Sequence, residues 1–228
     1  MLGNEPVALI LGGTKGLGKE IALKSLHDGD KIVVAGSSVV REYEEDGITY
    51  IPCDLLARRS VNDLISKIEN NQLPPISKFF WVAGRLLKGD FAKQSSREID
   101  EVMSVNFVNP TLIARAVWAQ MQKATEECQF VVISSSSGVK ARKDEAVYVA
   151  TKHAQVGFTR SLGMENSNPN VKVSLFMPGG MKTSFWDKNP TPDYDSFLDP
   201  KKVAQNVVVL SMFQDDLYEE YEIPRGSL

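Results

Sequence analysis

Tyr148 and Lys152 stand four residues apart, a spacing that places two side chains one above the other on the same face of a helix. A phenol with an ordinary pKa of about 10 carries protons poorly near neutrality, and a neighbouring ammonium favours the phenolate and lowers that value. The pair is therefore a candidate acid–base device, in which Lys152 is expected to depress the Tyr148 pKa. Thirteen residues before the tyrosine, Ser135 lies within Ile133-Ser-Ser-Ser-Ser-Gly138. A hydroxyl at that point can hydrogen-bond a carbonyl as negative charge develops on its oxygen. Ser134 and Ser136 stay open as alternatives, and a serine-rich turn explains any one of the four. Tyr148 would give its proton to that oxygen in a reduction, or take one in the oxidation of an alcohol.

These residues need a scaffold. Short β-branched runs alternate with longer periodic stretches along the whole chain, the pattern of repeated βαβ units and a doubly wound, mostly parallel sheet. Seven strands are expected, at Val7–Leu11, Lys31–Ala35, Thr49–Pro52, Phe79–Val82, Gln129–Ser134, Val171–Met177 and Tyr218–Ile223. Helical patterns cover about Leu17–His27, Arg59–Asn70, Ser96–Lys123 with a break near Asn109-Pro110, Tyr148–Asn166 and Pro200–Phe213. A single α/β domain over residues 1–228 follows, with an irregular, aromatic-rich segment at about 179–198 that reads as a binding loop or a connection. The glycines Gly12, Gly16 and Gly18 follow the first strand and open the first helix, where the backbone can approach a pyrophosphate and present it to the positive end of the helix. Gly12 to Gly18, Ser37, Asp54, Ala83 to Gly84, Ser135 and Pro178 to Thr183 all follow the carboxyl ends of expected strands, the edge at which open α/β sheets bind ligands.

The Tyr-x-x-x-Lys pair with its preceding serine, together with Gly-x-x-x-Gly-x-Gly, resembles the short-chain dehydrogenase/reductase family, and the resemblance runs from Gly12 to at least Thr183. It implies a Rossmann-type fold and hydride transfer between a nicotinamide cofactor and a small carbonyl compound or secondary alcohol. Ser135, Tyr148 and Lys152 are then the catalytic set, with Lys152 on the nicotinamide ribose and Asn106, in Met103-Ser-Val-Asn-Phe107, as the asparagine that distorts a helix and holds a relay water. The implied cofactor contacts comprise Gly12, Thr14, Lys15, Gly16, Leu17, Gly18, Asp54, Ala83, Gly84, Pro178, Gly179 and Thr183. Asp54 reads equally as an acid that starts a turn. The family usually has Thr where this chain has Leu11, and Asn-Asn-Ala-Gly where it has Trp81-Val-Ala-Gly84, which puts the contacts of those asparagines in doubt.

A carboxylate after the second strand would repel a 2′-phosphate, and Val34-Ala-Gly-Ser-Ser38 has no acid before Glu42. Lys15 sits where NADP-preferring relatives carry a base, and Ser37 and Ser38 can donate to phosphate. NADP(H) is therefore expected over NAD(H), against the plain alternative that Lys15 is a solvated lysine. Arg85, Lys140, Met181, Phe185 and Trp186, with Val139 and Arg142, are candidates to face substrate; aromatics beside cations suit a planar or anionic carbonyl.

Composition adds bounds. Of 228 residues 43% are hydrophobic and 24% charged, with a net charge of −3, which leaves no basic footprint for a nucleic acid. Two cysteines, Cys53 and Cys128, are too few for a disulfide framework. No apolar run approaches membrane-spanning length, and a cytoplasmic setting without metal or membrane partner is the expectation. His153 should point about 100° away from Lys152, and His27 reads as a helix-end residue. An apolar helical face of Val102, Val105, Val108, Leu112, Ile113, Ala116 and Val117 suits a homodimer or homotetramer, although core packing explains it too. Two rival functions remain: a non-catalytic cofactor-sensing regulator, and an isomerase or dehydratase that recycles bound cofactor.

Overall fold

The computed structural model describes residues 5–38, 47–187 and 191–228. Among them, seven strands form one sheet in the order β3-β2-β1-β4-β5-β6-β7, every neighbouring pair parallel. The strands are β1 (Val7–Leu11), β2 (Lys31–Gly36), β3 (Thr49–Pro52), β4 (Ile76–Trp81), β5 (Cys128–Ile133), β6 (Val171–Pro178) and β7 (Tyr218–Ile223). The helices are α1 (Gly16–His27), α2 (Arg58–Glu69), α3 (Ser96–Met103), α4 (Asn109–Met121), α5 (Ala146–Glu165) and α6 (Pro200–Met212).

A parallel sheet covered on both faces needs strands that are apolar throughout, and β1 and β5 are buried at every position. Alternate side chains of β1 divide between two cores: Val7, Leu9 and Leu11 pack with α2, α4 and α5, whereas Ala8 and Ile10 pack with α1 and α6. Helix starts follow local chemistry. Ser95 and Glu98 form a capping box at α3, and Asp199 caps α6 ahead of Pro200.

Several boundaries differ from expectation by a residue or two, and two differences have identifiable reasons. Strand β4 begins at Ile76 rather than Phe79, because Lys78 is satisfied within the strand by an ion pair of 2.7 Å with Asp30. The interruption of the long helix lies one turn before Asn109-Pro110, in a π-helical turn at Ser104–Val108. Pro110 has no N–H to give the carbonyl four residues back, that of Asn106, and its ring crowds that oxygen. The apolar helical face is mostly core, with Val102, Ile113, Ala116 and Val117 buried and Val108 exposed.

Trp81, in the place of the family's first asparagine, is fully buried. Its ring centroid lies 6.3 Å from that of Phe107 and 5.9 Å from that of Phe158, while Val82 and Ala83 are tied by their amides to the Leu11 carbonyl at 3.0 and 2.9 Å. Strand bracing at this point is thus aromatic packing plus backbone. Replacing so large a buried side chain costs about 3–5 kcal/mol, so Trp81→Ala should lower the unfolding free energy in urea by that amount. A loss under about 1 kcal/mol would show that the ring does not carry this part of the core.

Candidate active site

The strand order reverses between β1 and β4, and the loops that leave their carboxyl ends face each other there. Gly12 has φ +90°, and a Cβ on it would lie 2.6 Å from the Ala83 backbone. A Cβ on Gly18 would stand 2.2 Å from the Gly12 carbonyl oxygen, which explains why the turn into α1 is glycine at both ends. Lys15 occupies the N-cap of α1 with extended φ and makes no side-chain cap bond, and the first turn contains no acid. The amides at this helix start therefore suit an anion. Thr183 closes the opposite side, within 3.4 Å of a Cβ on Gly16. Gly12, Gly16, Ala83 and Thr183 thus meet at the switch point, and glycine backbone beside a helix start is a donor set suited to the phosphates of a dinucleotide, whereas Gly179 faces Arg225.

Beside this switch point the reacting set assembles. Tyr148 and Lys152, on the first two turns of α5, are 6% and 4% exposed. Ser135 follows β5, where its Oγ accepts from the Ser137 amide at 3.1 Å, and its hydroxyl lies near enough to the Tyr148 phenol to lower that group's pKa. The neighbouring serines are otherwise engaged. Ser134 donates to the Lys152 carbonyl at 3.1 Å, and Ser136 accepts from Arg142 at 3.3 Å. Of the serines left open by spacing, Ser135 is the one on the tyrosine.

The expected depression of the Tyr148 pKa does not hold. Burial pushes the phenol well above its ordinary value, the Ser135 hydrogen bond opposes this, and the Glu145 charge adds to it. The lysine responds to the same burial, and its pKa falls from 10.5 to about 7. Its Nζ lies 5.9 Å from the tyrosine ring centroid and donates instead to the Ile133 carbonyl at 3.2 Å and to Gln155 Oε1 at 2.9 Å. Desolvation therefore outweighs the through-space effect of the amine.

Asn106 sits in the π turn, fully buried. Its side chain accepts from the Arg85 amide at 2.7 Å and donates to the Arg85 carbonyl at 2.9 Å, which locks the loop after β4. It also donates to Thr151 at 3.0 Å. A Cβ on Gly84 would lie 3.8 Å from Lys152 Nζ and 3.9 Å from Asn106 Oδ1, so this glycine faces the same centre. Over the tyrosine stands Phe185, at 6.0 Å between ring centroids, followed by Trp186 and Phe197 in successive edge contacts. Met181 is half-buried and forms an isolated β-bridge with Leu198.

Other candidates lie elsewhere. The Arg85 guanidinium pairs with Glu101 at 2.5 Å, which spends its charge on α3. Lys140 is exposed. Asp54 is exposed and accepts from the Leu56 amide at 2.9 Å, the turn-starting geometry. Ser37 and Ser38 are exposed after β2, and a Cβ on Gly36 would touch Thr14 at 2.6 Å, which brings the glycine loop against this strand end; Glu42 lies outside the described residues. His153 is exposed and contacts the Val149 carbonyl at 3.0 Å, and His27 ends α1. No group of three or more potential metal-ligating side chains occurs among the described residues, and no helix is long and apolar enough to cross a membrane. Sequence reasoning missed Thr151, Gln155 and Glu145. A signal for the first two was present: Thr151, Gln155 and Thr159 repeat every four residues in register with Tyr148, a polar stripe on a helix face that is fully buried.

The model of the short chain dehydrogenase family matches residues 6–193. The chain belongs to this family. It is an NAD(P)-dependent oxidoreductase acting on CH–OH or C=O groups. An uncharacterized oxidoreductase of Staphylococcus aureus (strain USA300) is 27% identical over 211 residues, 90% of each chain. Among solved structures, an alcohol dehydrogenase from the archaeon Thermococcus sibiricus complexed with 5-hydroxy-NADP superposes with a TM-score of 0.84 at 23% identity over 98% of this chain and 97% of that one. A 4-hydroxyisoleucine dehydrogenase mutant complexed with NADH and succinate gives a TM-score of 0.85 at 20% identity, covering 97% of this chain and 98% of that one.

Burial of Lys152 has a consequence for stability. The unfolded chain keeps the amine near 10.5, so between about 7 and 10.5 the unfolded state binds more protons than the folded one, and stability rises with pH across that window. Lys152→Met removes this dependence. In paired denaturation curves the variant should compare most favourably with the parent chain near pH 6 and lose that advantage steadily toward pH 10; parallel profiles would mean the amine is not buried as described.

Proposed function

We propose that the chain is an NADP-dependent dehydrogenase or reductase that transfers a hydride between the nicotinamide cofactor and a small carbonyl compound or secondary alcohol. The supporting observation is the placement of the half-buried Ser135 at the end of β5 with the buried Tyr148 and Lys152 of α5, close to Gly84 on the loop after β4. When bound, the nicotinamide supplies or accepts the hydride. Ser135 and Tyr148 converge on the oxygen that changes charge, and the tyrosine transfers its proton. A phenol held this high in pKa is protonated at neutral pH, the form from which a proton is given in a reduction, although burial makes it a weaker acid. Gly12 to Gly18 and the start of α1 would hold the phosphates, Lys152 the ribose, and Pro178, Gly179 and Thr183 the carboxamide side. A substrate would lie against Phe185 and Trp186, which makes an apolar or planar carbonyl the better match than an anion, since Arg85 is already paired.

The preference for NADP is carried by Lys15 at the α1 N-cap and by Ser37 and Ser38 beyond β2, where no acid occurs among residues 31–38. The NADP-ligated archaeal structure accords with it, and the NADH-ligated neighbour keeps NAD as the competing reading. Residues 1–228 are read as one catalytic domain with a substrate loop near 179–198, in a cytosolic setting. A homodimer or homotetramer is proposed as well, supported by Val209 and Met212, exposed three residues apart on α6, and by the exposed Phe213 that caps this helix.

A panel of ketones and alcohols followed by NADPH absorbance tests the reading. Turnover should occur with at least one compound, and Tyr148→Phe should reduce kcat about 10²–10⁴-fold while NADPH still binds. Retained NADPH binding with no turnover of any compound would move the chain to the cofactor-sensing class. The ratio of kcat/KM for NADPH over NADH should exceed one and fall about tenfold in Lys15→Ala, the loss of one charge-assisted phosphate contact; equal efficiencies in the parent chain would remove the NADP assignment.

A further inference from the structure

Gln155 is completely buried on α5, three residues beyond Lys152. Its Nε2 donates to the Asn106 carbonyl at 2.8 Å, and its Oε1 accepts from Lys152 Nζ at 2.9 Å. The amide has one orientation available. A carbonyl can only accept and an ammonium can only donate, so turning the amide over would set acceptor against acceptor and donor against donor. The Asn106 carbonyl needs this partner, since the residue that would bond it in an α-helix is Pro110.

We propose that Gln155 is a positioning residue of the reacting centre: its side-chain amide bridges the carbonyl freed by the π turn to the Lys152 amine, fixing where that amine points and favouring its charged form. This rests on the reading of Tyr148 and Lys152 as the reacting pair. Three elements meet in the bridge. The end of β5 gives the Ile133 carbonyl, the π turn gives Asn106, and α5 gives both lysine and glutamine. Of the titratable and charged groups around the amine, Tyr148 is on α5 and Glu145 caps that helix. The loop after β4 presents Gly84, with the Arg85 guanidinium directed to Glu101, and β5 presents backbone. Gln155 is thus the neutral acceptor supplied by a side chain, and without it the amine retains a single carbonyl.

The test has a readout independent of turnover. With protein labelled at lysine Cε with ¹³C, and the Lys152 resonance assigned by its absence in Lys152→Met, the titration of the amine can be followed directly. In Gln155→Leu it should move to lower pH by about one unit, the size expected on losing a hydrogen bond to a charged group. In Gln155→Glu, which keeps an acceptor and adds charge, it should move above that of the parent chain. Kinetically, Gln155→Leu should lower kcat at least about tenfold at pH 8 with the carbonyl KM within about twofold, and the deficit should shrink toward pH 6 as the amine regains its proton. Should the leucine variant not fold, Gln155→Met makes the same deletion with a more adaptable side chain. A residue that merely fills space would leave the titration in place in both directions, and unchanged titrations in the leucine or methionine variant and in Gln155→Glu would overturn the proposal. If instead the titrations shift as expected in a protein with no measurable turnover, the bridge stands and the enzymatic reading is the part that falls.

Discussion

A primary amine drawn out of water must be met by acceptors or give up its charge, and the centre of this protein is organised by that requirement. Lys152 comes from α5, the Ile133 carbonyl from the end of β5, and Gln155 from the next turn of the same helix. A shift of α5 along the sheet would break the Lys152 bond to Ile133 and the Gln155 bond to Asn106, so the register between this helix and β5 also sets the depth of Tyr148. The same burial raises the phenol and lowers the amine, which brings their proton affinities apart rather than together. The tyrosine is left protonated and the lysine close to half-charged near neutrality.

The crevice follows from sheet topology. Because β1 has β2 on one side and β4 on the other, successive connections leave in opposite directions, and the space between the β1 and β4 loops cannot be filled by a crossover helix. Glycine then becomes a requirement at Gly12, whose missing side chain lets Ala83 approach. The start of α1 adds unpaired backbone donors and no acid of its own. These are consequences of strand order and of a few small residues, and they place the start of α1, with no acid in its first turn, at the same edge of the sheet as the tyrosine.

Most of this architecture was legible in the sequence because periodicity reports burial. Strand runs such as Val7–Leu11 are apolar at every position, a pattern that only a doubly covered sheet satisfies, and Tyr148 with Lys152 declared their shared helix face by spacing alone. The less legible features depend on partners distant in the chain. Strand β4 extends back over Lys78, whose partner Asp30 is 48 residues away and so leaves no mark on the local run of residues. The sign of the Tyr148 shift could not be read from the neighbouring lysine, because it depends on how completely other elements exclude water from both. Asn109-Pro110 pointed to a break in the helix, yet the break appears at Ser104–Val108, since proline disturbs the carbonyl four residues earlier rather than its own turn.

The exchange at Trp81-Val82 fits the same logic. Where related chains put two asparagines, this one puts an indole against Phe107 of the π turn and Phe158 of α5. Those are the two elements that carry Asn106 and Gln155, so the aromatic contact clamps from the apolar side what the amide bridge joins from the polar side. Polar satisfaction has moved off β4 and onto the buried stripe of α5, where Thr151 accepts from Asn106 and donates to the Tyr148 carbonyl at 2.7 Å. A centre that relies on one strand for its amides has its geometry set by the sheet. Here the helix that carries Tyr148 also carries Gln155, which holds Lys152, and β5 contributes the Ile133 carbonyl and, at its end, Ser135.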